Sequence, residues 1–146
     1  AGRIKSVVAK CKTLVRRIEV EDTACVLVNF ESGAMGVIEC STSISPGQDT
    51  LFAIHGDKGS ISFGNYGFYT WQLEDGNVAP EIHDNLGGIN CEWAGDSLHS
   101  ILIEDMANAV LEGRQSMIPG SEARHAVDVI LAIYESSATG KEVIVG

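Results

Sequence analysis

Alternating hydrophobic and polar positions fill the first two-thirds of the chain, and a helical period fills the last third. Side chains alternate from residue 4 to residue 15, and one face of this segment consists of Val7, Ala9, Cys11, Thr13 and Val15. Such alternation predicts a β-strand. Strands followed by helices, without repeated strand–helix–strand units, indicate an α+β fold.

A first hairpin is predicted from residues 22–30 and 35–44, which flank the turn Glu31-Ser32-Gly33-Ala34. Gly33 can supply the positive φ that a tight hairpin needs. Because the loop is short, the two strands are expected to pair antiparallel.

Further strands are predicted downstream. Residues 51–55 and 60–63 flank Gly56-Asp57-Lys58-Gly59 and form a second hairpin. A strand over 68–73 then turns at Glu74-Asp75-Gly76-Asn77 into a short strand near Val78. The segment 80–96 shows no period, which predicts a long irregular loop.

Two helices and a last strand close the chain. The first helix is predicted from an N-cap at Ser97 to Gly113, with one face formed by Leu98, Ile101, Leu102, Met106, Ala109 and Val110. The second is predicted between Pro119 and Gly140, with helical spacing at Val127, Ile130, Leu131 and Tyr134. Residues 142–145 are predicted to form a final strand.

The stretch Ala24-Cys25-Val26-Leu27-Val28 is apolar on both of its alternating faces. Helices on one side of a sheet bury only one face, so the second face needs another cover. A second subunit and another domain of the same protein are the two candidates. Burial by the irregular loop of this chain is the alternative.

Composition indicates one ordinary globular domain. The chain has 146 residues, 45% hydrophobic and 21% charged, without a run of apolar residues that would span a membrane. The net charge of −10 disfavours nucleic-acid binding. Six of the ten basic residues precede the first acid, Glu19, and we interpret them as a solvated strand that pairs with acidic neighbours rather than as an anion site.

Cysteine and histidine positions exclude two further classes of site. The four cysteines form no C-x-x-C pair, which favours reduced thiols and a cytoplasmic location. The four histidines lack metal-ligand spacing, so we expect no metal site. The chain starts without methionine and enters an alternating stretch at once, so we expect it to be part of a longer protein.

Three motifs resemble the carboxy-terminal half of the glucose-fructose oxidoreductase/inositol dehydrogenase/MocA (Gfo/Idh/MocA) family. They are Ala34-Met35-Gly36-Val37-Ile38-Glu39-Cys40-Ser41, Ile54-His55-Gly56-Asp57-Lys58-Gly59-Ser60-Ile61 and Ile130-Leu131-Ala132-Ile133-Tyr134-Glu135-Ser136-Ser137-Ala138-Thr139-Gly140-Lys141. Each is a turn or a helix end and therefore reports fold more than chemistry. The resemblance implies an open, mostly antiparallel sheet with helices on one face and the other face available for a subunit interface, within a single domain over residues 1–146.

The resemblance also implies a function for the longer protein. Family members bind NAD or NADP in an amino-terminal Rossmann domain and oxidise a hydroxyl of a sugar, cyclitol or related polyol. This chain has no G-x-G-x-x-G and no Glu-Lys-Pro, and the family's Asp-x-Gly-x-His-like segment is expected upstream of Ala1. We therefore expect no cofactor bound by this chain, no catalytic residue in it and no activity of the chain by itself.

Candidate substrate contacts are few. Ser41, Thr42 and Ser43 follow a predicted strand near the expected domain seam, and Trp93 and His99 bracket the start of the first helix. Each also has a local interpretation, because strand-end hydroxyls often bond the nearby backbone and His99 can pack under the loop. His125 is expected to be partly exposed or at an interface.

Three functions remain open at this point. The first is the substrate-side and oligomerisation domain of such an oxidoreductase, expected to form a homodimer through its sheet. The second is a stand-alone ligand-binding or assembly module with the same fold. The third, an independent enzyme, is ranked last because the sequence shows no pair of titratable groups for catalysis.

Overall fold

The computed structural model describes residues 1–80 and 95–146, with the side chains of the second range described from residue 99. Contacts divide the chain into two compact units, Ala1–Pro46 with Ile118–Gly146 and Gly47–Met117. The elements are β1 (Ile4–Lys12), β2 (Thr23–Phe30), β3 (Met35–Ser41), β4 (Leu51–Gly56), β5 (Gly59–Gly64), β6 (Gly67–Leu73), α1 (Gly95–Glu112), α2 (Gly120–Thr139) and β7 (Val143–Ile144). The predicted α+β class with open antiparallel sheets is confirmed, and the described strands form no closed barrel.

The first unit contains a four-stranded antiparallel sheet in the order β3-β2-β1-β7. The hairpin between β2 and β3 turns at Gly33, which has a φ of 89°. Phe30 N donates to Ala34 O over 2.9 Å and closes the hairpin. The first predicted hairpin is therefore confirmed.

Helix α2 packs on one face of this sheet. The core consists of alternate strand residues and two small or branched helix residues: Val7, Ala9, Val26, Val28, Val129 and Ala132. The helix begins after Pro119 and ends at Gly140, whose φ of 71° is the left-handed conformation common at helix ends. The predicted boundaries of α2 and the final strand β7 are confirmed.

Side chains of α2 also bond the edge of β1. Strand β7 pairs only with Ser6 and Val7, so the later N–H groups on that side of β1 need other acceptors. Ser136 Oγ accepts Ala9 N over 2.9 Å, and Ser137 Oγ accepts Cys11 N over 2.8 Å. The helix thereby covers an edge that would otherwise expose unpaired backbone groups.

The second unit contains a three-stranded antiparallel sheet in the order β4-β5-β6. The second predicted hairpin, β4–β5, is confirmed. Three ring contacts run across this sheet: Phe52 stacks on Phe63, and Phe68 makes edge contacts with Phe63 and Trp71. The described strands thus form two open antiparallel sheets, one in each unit, and residues 42–50 between β3 and β4 form no strand.

Some predicted boundaries were wrong. Strand β1 ends at Lys12, so Thr13 and Val15 lie beyond it. No strand forms near Val78, which is 87% exposed; instead Trp71 Nε1 donates to Asn77 O over 2.9 Å across the turn. Helix α1 begins at Gly95 rather than after Ser97, and most of the predicted loop lies outside the described residues.

The buried positions of the helices differ from the apolar positions with helical spacing. In α2 the buried residues are Val129, Ala132 and Ser136, whereas the predicted apolar positions are all at least 43% exposed: Val127, Ile130, Leu131 and Tyr134. In α1 Ala109 is buried as expected, but Ile101, Leu102, Met106 and Val110 are exposed. Small residues permit α2 to approach the sheet closely, and bulky ones remain outside.

Candidate functional site

Polar residues gather where β2 begins and β3 ends, within the first unit. We call this set the strand-end cluster; it consists of Arg16, Asp22, Thr23, Ser41, Thr42 and Ser43. Antiparallel register places Thr23 directly opposite Ser41. The loop between β1 and β2 then folds over this pair.

Asp22 anchors that loop. Its carboxylate is 2% exposed and accepts Leu14 N over 2.9 Å, and Val15 N and Arg16 N over 2.8 Å each. The backbone hydrogen bonds from Arg16 and Leu14 hold the pKa of Asp22 well below its usual range. Asp22 is therefore ionised at neutral pH and serves to position the loop, since it has no proton to exchange there.

The three hydroxyl residues that follow β3 differ in their partners. Ser41 Oγ lies 3.4 Å from Thr23 Oγ1 and accepts Ser43 N over 3.1 Å. Thr42 is exposed, and its backbone carbonyl accepts the Arg16 guanidinium, with Nε at 3.1 Å. Ser43 Oγ is buried and has no hydrogen-bond partner within the part of the chain that the structure describes.

The chemistry open to the strand-end cluster is binding rather than proton transfer. Its carboxylate, Asp22, is held ionised, and its basic group is the guanidinium of Arg16. Hydroxyls next to a guanidinium suit a ligand rich in hydroxyl groups. Within the described residues, Ser43 is the member of the cluster whose hydroxyl is both buried and without a hydrogen-bond partner.

The other predicted site residues are placed elsewhere. His99 is an exposed residue of α1, in the second unit. Trp93 lies outside the described residues. The structure therefore brings Ser41, Thr42 and Ser43 together at one strand end.

His125 has a local role. Its Nε2 accepts Ile4 N over 3.1 Å, at the start of β1. The residue is half-buried and continues the series of α2 side chains that bond the edge of β1.

A polar group that the sequence did not indicate lies at the other end of the same sheet. Asn29 Nδ2 donates to Ser6 Oγ and to Glu142 Oε1, both over 3.1 Å, and Ser6 also donates to Glu142. They line a depression of about 350 Å³. No sequence signal identifies this group, because Glu142 lies 113 residues beyond Asn29.

The described glycine pairs do not have the setting of a dinucleotide-binding turn. The two pairs of glycines nearest to the phosphate-binding spacing, Gly56 with Gly59 and Gly64 with Gly67, lie in hairpins and open no helix. Helix α2 carries Glu122 in its first turn, which disfavours an anion there. Within residues 1–80 and 95–146, no three His, Cys, Asp or Glu side chains are grouped to hold a metal ion.

Comparison with known proteins finds a family model that matches the first part of the chain. Residues 1–62 match the model of the GFO/IDH/MocA C-terminal domain. The match covers less than half of the chain's 146 residues. The recognition made from the sequence motifs is therefore confirmed.

Individual relatives are similar to the chain over nearly its whole length. D-apiose dehydrogenase of Rhizobium rhizogenes is 24% identical over 156 residues, which cover 99% of this chain and 44% of that protein. The WlbA dehydrogenase of Bordetella pertussis, solved in complex with NADH and UDP-GlcNAcA, has a TM-score of 0.79 at 24% identity and covers 100% of this chain and 41% of its own. The corresponding WlbA complex from Chromobacterium violaceum has a TM-score of 0.75 at 26% identity, over 99% and 41%.

The chain thus spans less than half the length of these relatives. The structural likeness shows the fold. No helix of the described residues is both long and apolar enough to cross a membrane.

Proposed function

We propose that this chain is the substrate-side and oligomerisation domain of a longer NAD(P)-dependent oxidoreductase that acts on a hydroxyl of a sugar, cyclitol or related polyol. One observation carries the proposal. The chain matches, from end to end, 41% of a dehydrogenase that was solved with NADH and a sugar nucleotide, at a TM-score of 0.75 and 26% identity. An amino-terminal Rossmann domain supplies the NAD or NADP site in this proposal.

In the proposed enzyme the strand-end cluster contributes contacts to the polyol. Ser43 has a buried hydroxyl without a partner in the described structure, and an unpaired buried hydroxyl is costly unless a ligand or water completes it. Ser41 and Thr42 flank it, and Trp93 and His99 remain proposed contacts. The domain by itself is inactive, because hydride transfer needs the nicotinamide ring.

Self-association through the four-stranded sheet is the second part of the proposal. The face opposite α2 exposes Val8, Leu27 and Val37 by 39%, 57% and 72%. Apolar side chains grouped on one face favour a protein partner. The free thiols of Cys11, Cys25 and Cys40 agree with a reducing, cytoplasmic location.

Turnover tests the proposal. NAD(P)H formation is followed at 340 nm with a panel of sugars and polyols, for this chain and for the complete protein that carries it. We expect no turnover by the chain and substrate-dependent turnover by the complete protein. In the complete protein, Ser43→Ala should raise KM more than it lowers kcat. The matched change Ser121→Ala, at the exposed start of α2, should alter neither KM nor kcat.

Two results would contradict it. Turnover by the isolated chain would make it an independent enzyme. A complete protein that binds polyols saturably yet reduces neither NAD nor NADP would be the stand-alone binding module instead.

A further inference from the structure

Oxygen atoms converge beside Gly64, at the end of β5 in the second unit. A Cβ atom on Gly64 would lie 2.7 Å from Asp49 Oδ2 and 2.8 Å from the Tyr69 hydroxyl, and it would also meet the carbonyl oxygen of Thr50. Glycine leaves this point open, whereas any other side chain would displace the oxygens around it. We call the Asp49 carboxylate, the Thr50 carbonyl and the Tyr69 hydroxyl the oxygen cradle.

Asp49 gives the oxygen cradle its negative charge. Its Oδ1 accepts Asn65 N over 3.2 Å, and its Oδ2 accepts the Tyr69 hydroxyl. The residue is exposed, and no basic group of the described chain forms an ion pair with it. Because each carboxylate oxygen can accept more than one bond, the carboxylate can also bind a cation from solvent.

Asn65 adds a carbonyl oxygen that the described chain leaves unpaired. Its Oδ1 is buried and has no hydrogen-bond partner among the described residues. Its own N–H bonds Asp49, so the residue lies next to the oxygen cradle. A buried acceptor without a partner is costly, and a bound ion would complete it.

We propose that the oxygen cradle and Asn65 Oδ1 together bind a hard divalent cation, and that they bind Ca²⁺ in preference to Mg²⁺. Carboxylate, amide and backbone carbonyl oxygens are the ligands of Ca²⁺, which takes about six to eight of them in flexible geometry. Water supplies the remaining ligands, because Asp49 is exposed. Mg²⁺ needs a tighter octahedron and gives up its water reluctantly, so it binds less well.

The spacing of histidines and cysteines does not indicate this site, because all of its ligands are oxygens. Asp49 is its single acid, and a group of three His, Cys, Asp or Glu side chains is absent from residues 1–80 and 95–146. Since the charge of the ligands sets the affinity of a calcium site, one carboxylate predicts a weak site, with a Kd of about 10⁻⁴–10⁻³ M. Tyr69 orients the carboxylate through its hydroxyl.

A bound ion joins separate parts of the second unit. Asp49 and Thr50 precede β4, Asn65 lies in the turn between β5 and β6, and Tyr69 belongs to β6. An ion that binds only the folded chain stabilises it by mass action. Calcium should therefore raise the midpoint of thermal unfolding of the chain.

Calorimetric titration with CaCl₂ and with MgCl₂ tests the proposal, in about 0.15 M KCl to screen non-specific attraction to the acidic surface. The unchanged chain should bind one Ca²⁺ with the Kd given above. Asp49→Asn should raise that Kd by about tenfold or more, because it removes the charge of the site and keeps an acceptor for Tyr69. Asp57→Asn removes the same charge from the exposed turn at the opposite end of β5 and should change the Kd by less than about twofold.

A second variant gives a change in the opposite direction. Asn65→Asp adds a carboxylate to the site and should lower the Kd for Ca²⁺ by about tenfold. Without Ca²⁺ the same variant should unfold at a lower temperature than the unchanged chain, because two neighbouring carboxylates repel each other. A residue that served only the fold would not produce this gain in affinity, so the variant also decides the case in which Asp49→Asn fails to fold.

Three outcomes would overturn the site. The first is an unchanged chain that binds neither ion saturably. The second is an equal loss of affinity in Asp49→Asn and Asp57→Asn, which would place the ion on the acidic surface as a whole. The third is an Asn65→Asp variant that folds and binds Ca²⁺ no more tightly than the unchanged chain. Tighter binding of Mg²⁺ than of Ca²⁺ would overturn the stated preference.

Discussion

A single carboxylate organises the strand-end cluster. Where the chain leaves β1, the Asp22 carboxylate accepts hydrogen bonds from three consecutive backbone N–H groups, those of Leu14, Val15 and Arg16. Arg16 is thereby oriented so that its guanidinium reaches Thr42 O. The positions of the hydroxyl residues that follow β3 thus depend on a residue that contacts no ligand in the proposed function.

Asp22→Asn should destabilise the chain, because a neutral amide cannot accept all of these bonds. The pKa of Asp22 is lower in the folded chain than in the unfolded chain. Its contribution to the stability of the fold is therefore complete well above the unfolded pKa of about 3.9, and it is lost as the pH falls through the folded pKa. The urea midpoint of the variant should therefore lie below that of the unchanged chain at pH 7, and the gap should narrow at acidic pH. Asp57→Asn, in an exposed turn, is the matched control; a gap that does not vary with pH would contradict the role of Asp22.

At the scale of elements, α2 is held to the sheet by hydroxyl groups as well as by apolar packing. Ser136 is fully buried; its Oγ accepts Ala9 N over 2.9 Å and donates to Lys141 O over 2.6 Å. One side chain therefore joins the helix to β1 and to the segment that leads into β7. An apolar residue at this position would fill the space but leave both backbone groups unpaired.

Ser136→Ala should lower the free energy of unfolding by about 2–4 kcal/mol, since two buried backbone groups lose their partner. Ser137→Ala, one residue along, should cost only about 1 kcal/mol, because Ser137 is half-buried and makes one short bond, from Cys11 N. Guanidinium denaturation of both variants measures the difference. Equal losses would show that the bonds of Ser136 are not what holds the helix.

At the scale of the whole molecule, charge and missing motifs define what the chain can bind. The net charge is −10, and six of its ten bases lie in the first seventeen residues. Several of these bases have local roles: Arg16 bonds Thr42 O, and Arg3 lies 3.8 Å from Glu122. The hairpin glycines Gly56, Gly59, Gly64 and Gly67 open no helix, and a net charge of −10 disfavours an anionic ligand.

NADH should therefore not bind this chain. Fluorescence titration with NADH should show no saturable change, while the Bordetella pertussis WlbA dehydrogenase, solved with NADH, serves as the positive control. Saturable binding to the chain would mean that it holds a nucleotide site of its own and would contradict the assignment of that site to a Rossmann domain.

Local signals in the sequence determined the α+β class, the two hairpins, the ends of α2 and the family. Gly33 and Gly140 mark turns and caps whose backbone angles few other residues adopt, so a short motif is sufficient to predict them. Alternation at Val7 and Ala9 likewise predicted the buried face of β1, because successive strand residues point to opposite sides.

Only the tertiary structure decided which face of α2 is buried, what Asp22 holds and where Ser6, Asn29 and Glu142 meet. The sequence of α2 has one bulky apolar face and one face of small residues, and helical periodicity does not distinguish between them. The face with small residues packs on the sheet, because small residues permit close approach and because Ser136 can bond the free edge of β1. Contacts between residues more than a hundred positions apart depend on how the chain returns to its first strand, and no local pattern encodes that return.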